Sequence, residues 1–467
     1  MLPHSKAAPD IAIPDLAGSS QASRLARAAV LAVADAVALM AAAAAAYLIW
    51  ALPVRQQSLG LYLELAPLIL LFVAGYARAG LYPGFGLGPV ETLRRVTYVT
   101  AFGFLVLAAF SFALKLPPLY SRVTFALTLI FSLVLVPLGR ALAFHTVRRT
   151  TWWREPVVII GVGERAAKAA QSLDRDSHAG YRPAAVLAGG TAQVAALAAA
   201  GVRVALLATG HPDDGAALDR LQQHFRRVVL LRERDDLPME GLQVRNLGGI
   251  VGIEYTNNLL VRENRAVKRV LDIVLATLAL LLFAPIMLVA AALVKAIDGS
   301  PVLFFQDRAG LDGRRMAVPK IRTMRLDAER RLAGHLAANP QMNDEWKRRY
   351  KLREDPRLIP GIGRPFRRFS IDELPQLWTV LAGNMSMVGP RPFPDYHISQ
   401  FSPAFRELRQ RVRPGITGLW QVTVRSEGSI EDQQTYDSYY IRNWSVWLDI
   451  YILSRTLATV ASGRGAY

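Results

Sequence analysis

The stretch KRVLDIVLATLALLLFAPIMLVAAALVK, from Lys268 to Lys295, decides how the chain is arranged about a membrane. It is longer than the roughly 20 apolar residues that a helix needs to cross a bilayer. Lys268 and Arg269 at one end and Lys295 at the other favour the same compartment for both ends. Pro285 removes a backbone hydrogen bond near the middle and favours a kink. Asp272 lies within the first turns, where a carboxylate in hydrocarbon is costly.

These features together predict a re-entrant helix over 268–295, which enters the membrane, bends at Ala284 and Pro285, and returns. A full crossing would also place the residues before and after this stretch on opposite sides of the membrane. The alternative is an ordinary kinked span, which the residues of this stretch alone leave open.

The composition of the whole chain is that of a membrane protein. Of its 467 residues 52% are hydrophobic, and the formal net charge is +18. Such a basic excess fits anionic lipid or phosphate-bearing substrates, and the apolar runs disfavour nucleic acid as a partner. Basic residues beside membrane helices account for part of this charge. Cysteine is absent, which excludes disulfides, thiolate nucleophiles and cysteine-ligated zinc.

Four further apolar segments precede this stretch. They lie near 25–53, 61–81, 96–116 and 120–144, and each is about 20 residues or longer. Residues 1–22 are polar and rich in proline, alanine and serine, which predicts a disordered tail. We therefore predict a four-helix transmembrane bundle behind that tail.

Basic residues orient this bundle. They concentrate before the first span, between the second and third, and after the fourth, while the other two loops carry few. The positive-inside rule therefore places both ends of the bundle in the cytoplasm. Glu64 and Arg140 lie near span ends, where we expect their side chains to snorkel to the interface.

The segment REPVVIIGVGERAAKAAQSL, from Arg154 to Leu173, reads as a buried strand, a glycine turn and a helix. Gly161 and Gly163 form a possible nucleotide loop beneath a helix N-terminus. The next strand ends at Ala188 without the acid that a dinucleotide ribose requires, and no tyrosine has a lysine four residues on. A structural or regulatory Rossmann-like domain is favoured, and a sugar-modifying dehydratase or epimerase is disfavoured.

The C-terminal third is dense in turn residues and basic side chains. Between Gly299 and Met324 the basic residues are spaced so that they could converge on phosphates, or form a solvated face. They are Arg308, Arg314, Arg315, Lys320 and Arg322.

The stretch RRFSIDELPQLWTVLAGNMSMVGPRP, from Arg367 to Pro392, follows them and contains the adjacent acids Asp372 and Glu373. Ser370 and Glu373 have the spacing of a capping box at a helix start. The helix dipole there would keep Asp372 ionised as a nucleophile, and one of the two acids could attack while the other holds a hard cation. In the simpler alternative, Glu373 only completes the cap.

The motifs PKIRTM, DELPQLWTVLAGNMSMVGPRP and RPGITGLWQV, in this order, resemble those of the bacterial sugar transferase family. Its monotopic members are polyprenyl-phosphate phosphoglycosyl transferases. The resemblance covers about 265–467, and the preceding spans and α/β domain are similar to those of the large members, of the undecaprenyl-phosphate galactose phosphotransferase type.

The resemblance implies transfer of a hexose 1-phosphate from a UDP-hexose to undecaprenyl phosphate, with release of UMP, to start glycan assembly. It also implies that Asp372 forms a covalent phosphosugar intermediate, while Glu373 helps to bind Mg²⁺. Basic residues at the matching positions Lys320, Arg367 and Arg391 would bind phosphate. We add Arg308, Arg322 and Arg425 as further phosphate-binding candidates.

Two positions depart from the family pattern. Ala284 replaces the serine that usually precedes the helix-breaking proline, and Val424 replaces a glycine after the Trp420 motif. The change at Ala284 leaves Pro285 in place, so the re-entrant prediction is kept. The change at Val424 affects the choice of sugar donor more than the reaction itself. Similarity to large galactose 1-phosphate transferases, including the Gly-Ala-Tyr end, favours galactose over glucose.

The predicted fold class is a membrane protein with α and α/β parts, located in the bacterial inner membrane with its catalytic domain on the cytoplasmic face. Its parts are a disordered tail (1–22), a four-helix bundle (23–150), a Rossmann-like domain (151–252) and a mostly helical transferase domain (253–467) with its re-entrant helix (268–295).

Three further points follow from the sequence. Membrane lipid is an expected partner, and a homodimer is plausible. An alternative function is a membrane-anchored nucleotide-sensing scaffold that uses the Rossmann-like domain. The aromatic pattern from Trp444 to Leu453 fits either a helix on the membrane interface or ordinary core packing.

Overall fold

The computed structural model divides into two compact units, Met1–Arg234 and Asp235–Tyr467. Residues 1–20 of the predicted tail lie outside the described part of the chain. The described residues are 21–113, 121–148, 150–175, 180–188, 191–208, 220–231, 242–247, 250–255, 258–338, 355–424 and 429–462.

The first unit begins with apolar helices. Among its described residues, three segments are long and apolar enough to cross a membrane. The first is Gln21–Arg55, in which a π-helical turn continues the first helix into the second. The helices are α1 (Gln21–Ala46), α2 (Leu52–Arg55), α3 (Leu59–Leu63), α4 (Ile69–Arg78), α5 (Pro89–Ala113) and α6 (Arg122–Val147).

The prediction of one long helix over 61–81 is wrong. The segment is broken into α3, a 3₁₀ turn at Ala66–Leu68, and α4. Pro67 lies in that turn and cannot donate the backbone hydrogen bond that a continuous helix requires. Ala66–Arg78 is therefore a shorter apolar helix.

A buried ion pair links α1 to α6 inside the bundle. Arg140 donates to both carboxylate oxygens of Asp35, with nitrogen–oxygen distances of 2.8 and 2.6 Å, and the Tyr82 hydroxyl also donates to Asp35. The Asp35 side chain is 0% exposed. The expectation that Arg140 snorkels to the interface is wrong, because a carboxylate one helix away satisfies its charge inside the bundle.

A four-stranded parallel sheet completes the first unit, in the order β2-β1-β3-β4. The inner strand β1 is fully buried, with apolar clusters on both faces of the sheet, as the continuous apolar run of its sequence indicates. The elements are β1 (Glu155–Ile160), α7 (Glu164–Arg175), β2 (Tyr181–Leu187), α8 (Thr191–Ala199), β3 (Val204–Leu207) and β4 (Arg227–Leu230).

The second unit combines short strand pairs with helices. β5 pairs with β6 and β7 with β8 in antiparallel hairpins, and β9 pairs with β10 in parallel. The elements are β5 (Leu242–Leu247), β6 (Ile250–Tyr255), α9 (Arg262–Asp298), β7 (Leu303–Ala309), β8 (Arg315–Ile321), α10 (Ala328–Ala338), α11 (Gly363–Arg368), α12 (Gln376–Leu381), β9 (Ser386–Val388), α13 (Asp395–Ile398), α14 (Pro403–Gln410), β10 (Gly415–Thr417), α15 (Leu419–Thr423), α16 (Ile430–Arg442) and α17 (Val446–Ser462).

The long helix α9 is the fourth segment that could cross a membrane by length and composition. It is helical throughout its 37 residues, with Pro285 inside. Ala276 in its first half and Val294 in its second half are both buried against the rest of the unit, whereas Leu281, Leu282 and Leu288 between them are exposed.

The start of α17 packs into the core of the second unit. Trp444, Leu448 and Ile452 are buried, and the Trp444 ring nitrogen and the Tyr440 hydroxyl both donate to Asp449. The aromatic pattern fitted either a helix on the membrane interface or core packing, and for Trp444 the structure shows core packing.

Candidate active site between β8 and the Asp372–Glu373 turn

Asp372 and Glu373 lie in a single 3₁₀ turn, Ile371–Glu373, between α11 and α12. Ser370 has a left-handed backbone, with φ of +54°, and its side chain makes no cap hydrogen bond. The predicted capping box is therefore wrong, because a cap residue needs an extended backbone to aim its oxygen at the helix amides. A capping box does occur at the start of α16, where Ser429 and Asp432 bond reciprocally.

Two cations hold Glu373. Lys320 Nζ lies 2.9 Å and Arg391 Nη2 lies 2.7 Å from the same carboxylate oxygen, Oε1. Burial alone would raise the pKa of Glu373, but Arg391 and Lys320 outweigh it and hold that pKa well below its usual range. This lowered pKa favours the ionised form of Glu373 at neutral pH.

Asp372 is the opposite case, although it is the neighbouring residue. It is 8% exposed, and within the described residues no hydrogen bond reaches its carboxylate. Burial, and next the charge of Glu373, raise the pKa of Asp372 to about 6, against the attraction of Lys320, Arg367 and Arg391. A carboxylate with this pKa is mostly ionised at neutral pH and more basic than an exposed one, which suits a nucleophile.

Arg367 and Arg308 flank the two acids. Arg367 donates to the Thr323 hydroxyl at 3.1 Å, and burial lowers its pKa while the charge of Asp372 opposes that shift. Arg308 donates through Nη2 to Gln306, but its buried Nη1 has no hydrogen-bond partner among the described residues. Its pKa is lowered by burial and by Arg391, and Glu373 acts against that shift. An unpaired buried N–H is costly, so Arg308 is poised to donate to an anionic ligand.

Arg322 is not part of this cluster. It is buried and bonds to the Asp298 carboxylate and to the backbone oxygens of Asp298, Gly299 and Pro301. The prediction that it binds phosphate is therefore wrong, since these bonds use its guanidinium to hold the turn after α9. Arg425 lies outside the described residues.

Gly161 and Gly163 lie at the carboxyl end of β1 in the first unit, and they differ from each other. A Cβ on Gly161 would lie 2.4 Å from the Ala208 carbonyl oxygen, so close strand packing requires this glycine. Gly163 has φ of +77° and open space around its Cα. The first glycine therefore has a packing role, and only the second faces room for a ligand.

The sequence reasoning missed Arg409. Its guanidinium donates to the backbone oxygen of Arg391 and lies over the rings of Phe393 and Phe401, 4.9 and 5.6 Å from their centroids. Asp437 is fully buried, and its Oδ2 lies 3.9 Å from Nη1 of Arg409. No motif marked this arginine, although it lies in the amphipathic helix α14, where a buried basic residue is unusual.

The chemistry of the two acids fits a magnesium ion. Mg²⁺ commonly takes one or two protein carboxylates together with substrate phosphates and water. Lys320 and Arg391 use only Oε1 of Glu373, so Oε2 takes neither of those bonds. Within the described residues, no three His, Cys, Asp or Glu side chains gather to form a closed metal cage. Glu373 would thus hold Mg²⁺ only in an open site that a diphosphate completes.

Comparison with known proteins matches two families. The bacterial sugar transferase family matches residues 263–463, and a CoA-binding domain family matches residues 80–202. The second range runs from the membrane helices into the parallel sheet, across the boundary predicted at 150.

Curated proteins are similar over most of the chain. A UDP-galactose-lipid carrier transferase of Erwinia amylovora is 31% identical over 74% of this chain and 76% of its own length. An undecaprenyl-phosphate galactose phosphotransferase of Salmonella typhimurium is 30% identical over 74% of this chain and 77% of its own. A UDP-glucose:undecaprenyl-phosphate glucose-1-phosphate transferase of Escherichia coli K12 is 33% identical over 54% of each chain.

Proposed function

Because the chain belongs to the bacterial sugar transferase family, we propose that it transfers a hexose 1-phosphate from a UDP-hexose to undecaprenyl phosphate and releases UMP. The product would start assembly of an exopolysaccharide, O-antigen or capsule. Relatives named for undecaprenyl-phosphate phosphotransferase activity, and others named for exopolysaccharide production, support this proposal.

The observation that carries the proposal is the contrast between Asp372 and Glu373. One acid is tied to Lys320 and Arg391, and its neighbour has a raised pKa and no hydrogen bond from the described residues. Two adjacent carboxylates in different environments can serve two different tasks. Asp372 is thus the nucleophile, and Glu373 organises the charges around it.

The first half-reaction is an in-line displacement at phosphorus. A carboxylate oxygen of Asp372 attacks the phosphorus that carries the hexose, and a new phosphorus–oxygen bond forms. The bond from that phosphorus to the oxygen shared with the uridine phosphate breaks, and UMP leaves with the electron pair. The cations Lys320, Arg367, Arg391 and Arg308 stabilise the charge that spreads over the phosphoryl oxygens.

The second half-reaction regenerates the enzyme. An oxygen of undecaprenyl phosphate attacks the same phosphorus, and the bond to Asp372 breaks, which returns its carboxylate. The result is an undecaprenyl diphosphate linked to the hexose. When bound, Mg²⁺ would neutralise diphosphate charge next to Glu373.

The surroundings of α9 support the re-entrant arrangement. Ala276 and Val318 of β8 share one apolar cluster, while Ala290, Val294 and Ile321 of β8 share another. Both halves of α9 therefore pack against apolar clusters that include residues of β8, on either side of Ala284 and Pro285. A bend at this proline would direct the exposed leucines between the two halves into the membrane.

On this arrangement the transferase domain (253–467) lies on the cytoplasmic face of the inner membrane. The bundle (23–150) and a Rossmann-like domain (151–252) precede it. The named substrates of two relatives favour galactose as the hexose. A homodimer through the first unit is a further part of this proposal.

A second candidate function is nucleotide binding by the parallel sheet, which the CoA-binding domain match favours. Gly163, with open space at the carboxyl end of β1, is the place where a phosphate would approach. Titration of the full chain with coenzyme A and with UDP, followed by calorimetry, tests this function. Binding that Gly163→Val leaves unchanged would exclude this loop as the site.

The variant Asp372→Asn tests the main proposal, because an amide cannot act as the nucleophile. With UDP-galactose and Mg²⁺, the variant is expected to release no UMP and to trap no phosphosugar adduct, as measured by mass spectrometry. Asp312→Asn is the matched control, since Asp312 is an exposed acid in the β7–β8 turn with a backbone that asparagine tolerates. Normal turnover by Asp372→Asn would sink the assignment.

A further inference from the structure

The amino-terminal edge of the parallel sheet collects arginines from three places in the first unit. Glu155 begins β1, Arg227 begins β4, and Arg203 directly precedes β3. The Arg227 amide donates to the Arg203 carbonyl oxygen at 3.2 Å, which places these two residues side by side. Because the strands are parallel, all three starts lie at the same edge.

Glu155 is the acid at the centre of this cluster. Its side chain is 6% exposed and forms ion pairs with Arg24, in the first turns of α1, and with Arg227 at 3.2 Å. Arg203 and Arg226 also lie close enough to repel the charge of Arg24. Four guanidinium groups therefore lie near one another, and two of them, Arg24 and Arg227, pair with this one carboxylate.

Acidic side chains of the described residues do not balance this excess of positive charge. In the described part of the chain, Arg203 and Arg226 have no acidic partner, and Arg226 is exposed. Like charges at such distances repel each other, unless an anion lies between them. Guanidinium groups match the geometry of phosphate oxygens through paired hydrogen bonds, so phosphate is the anion that this cluster fits.

The position of Arg24 indicates the source of that phosphate. Arg24 lies at the beginning of the 35-residue apolar segment Gln21–Arg55. Nearby, Arg27 is buried between Phe85 and Trp153 and donates to the Trp153 carbonyl oxygen, which fixes this end of α1 against the sheet domain. The end of a spanning helix lies at the depth of the lipid head groups.

We propose that Arg24, Arg203, Arg226 and Arg227 bind the phosphate of an anionic phospholipid head group at the membrane surface. The site lies at the edge of the sheet opposite to Gly161 and Gly163, which follow the carboxyl end of β1. It uses no residue of the transferase unit. Its existence is therefore independent of the proposed transfer reaction.

The test uses the purified full chain and the double variant Arg203→Gln/Arg226→Gln, which leaves both ion pairs of Glu155 in place. Native mass spectrometry in detergent would count bound phosphatidylglycerol, with phosphatidylcholine as the neutral competitor and inorganic pyrophosphate as the soluble probe. The control is Arg165→Gln/Lys168→Gln, which removes two charges from α7 of the same domain.

Wild type is expected to retain phosphatidylglycerol over phosphatidylcholine, and the double variant is expected to bind it about thirtyfold more weakly, at about 1 kcal/mol for each basic residue. The control should bind as wild type does. Competition by pyrophosphate alone, without lipid preference, would identify a soluble phosphate ligand at the same site and overturn the lipid assignment. Equal losses in the double variant and the control would overturn the site itself.

Discussion

The membrane bundle and the transferase unit both bury carboxylates next to arginines, but they do so differently. In the bundle, Asp35 receives two hydrogen bonds from Arg140 and one from Tyr82. In the transferase unit, Glu373 is similarly held, but Asp372 beside it is left without a hydrogen bond from the described residues. Asp35 and Arg140 form a closed pair, in which the carboxylate is fully hydrogen-bonded and holds helices together. Asp372 and Glu373 form an open pair, in which one carboxylate retains chemical reactivity.

Breaking the closed pair is expected to have the largest effect. Asp35→Asn leaves the Arg140 charge buried without a counter-charge, which costs about 3–5 kcal/mol of stability. Thermal unfolding of the purified protein in detergent should show a lower midpoint. The double variant Asp35→Asn/Arg140→Gln removes both charges and should recover part of the loss. If the double variant has no higher unfolding midpoint than the single variant, loss of the ion pair does not explain the lost stability.

Removing the charge of Glu373 is the corresponding change in the open pair. Glu373→Gln leaves Lys320 and Arg391 without their shared partner, and we expect kcat to fall about 10²–10³-fold. The rate of UMP release at saturating UDP-sugar measures this kcat. Since Glu373 contributes to the raised pKa of Asp372, the pH at which activity reaches half its maximum should also move to lower values. An unchanged midpoint would argue against coupling of the two acids.

The pH profile of the unmodified enzyme sharpens the contrast further. The pKa of Asp372 is raised to about 6, and in the proposed mechanism only its ionised form attacks phosphorus. Above pH 7 kcat/KM should be flat, and at pH 5 it should be about tenfold lower. Glu373 has a lowered pKa and adds no transition in this range. A profile that stays flat down to pH 4.5 would contradict the raised pKa.

Arg308 is expected to show the smallest effect. Its unpaired Nη1 can donate one charge-assisted hydrogen bond to a substrate phosphate. Arg308→Gln should therefore raise KM for the UDP-sugar about tenfold, with a smaller change in kcat. Arg314→Gln, in the same hairpin, serves as the control for general charge loss. Equal changes in both variants would show that Arg308 makes no specific contact.

The resemblance of the motifs to the bacterial sugar transferase family predicted much of the site. Lys320, Arg367 and Arg391 were expected near the two acids, and the structure brings all three there. The prediction for Arg322 failed because spacing along the chain does not show which basic side chain will hydrogen-bond to a nearby turn. The cap at Ser370 failed because the backbone enters a left-handed conformation after α11, which no residue type there announces.

For the fold, apolar length predicted the long helices and apolar runs predicted the parallel strands. The break at Pro67 could have been recognised, since a proline stands inside the expected span. Asp35 could not be matched with Arg140 from the sequence, because the two residues are 105 positions apart. Long-range pairs of this kind depend on helix packing, which local patterns do not encode.

That separation has a consequence for biosynthesis. Translation at about 5–20 residues per second delivers Arg140 roughly 5–20 s after Asp35. During this interval α1 must enter the bilayer with an uncompensated carboxylate, or wait at its surface until α6 emerges. Chains truncated before residue 140 and released from the ribosome are therefore expected to be extracted from membranes by alkaline carbonate more readily than released chains that end after residue 150. Asp35→Ala should remove this difference.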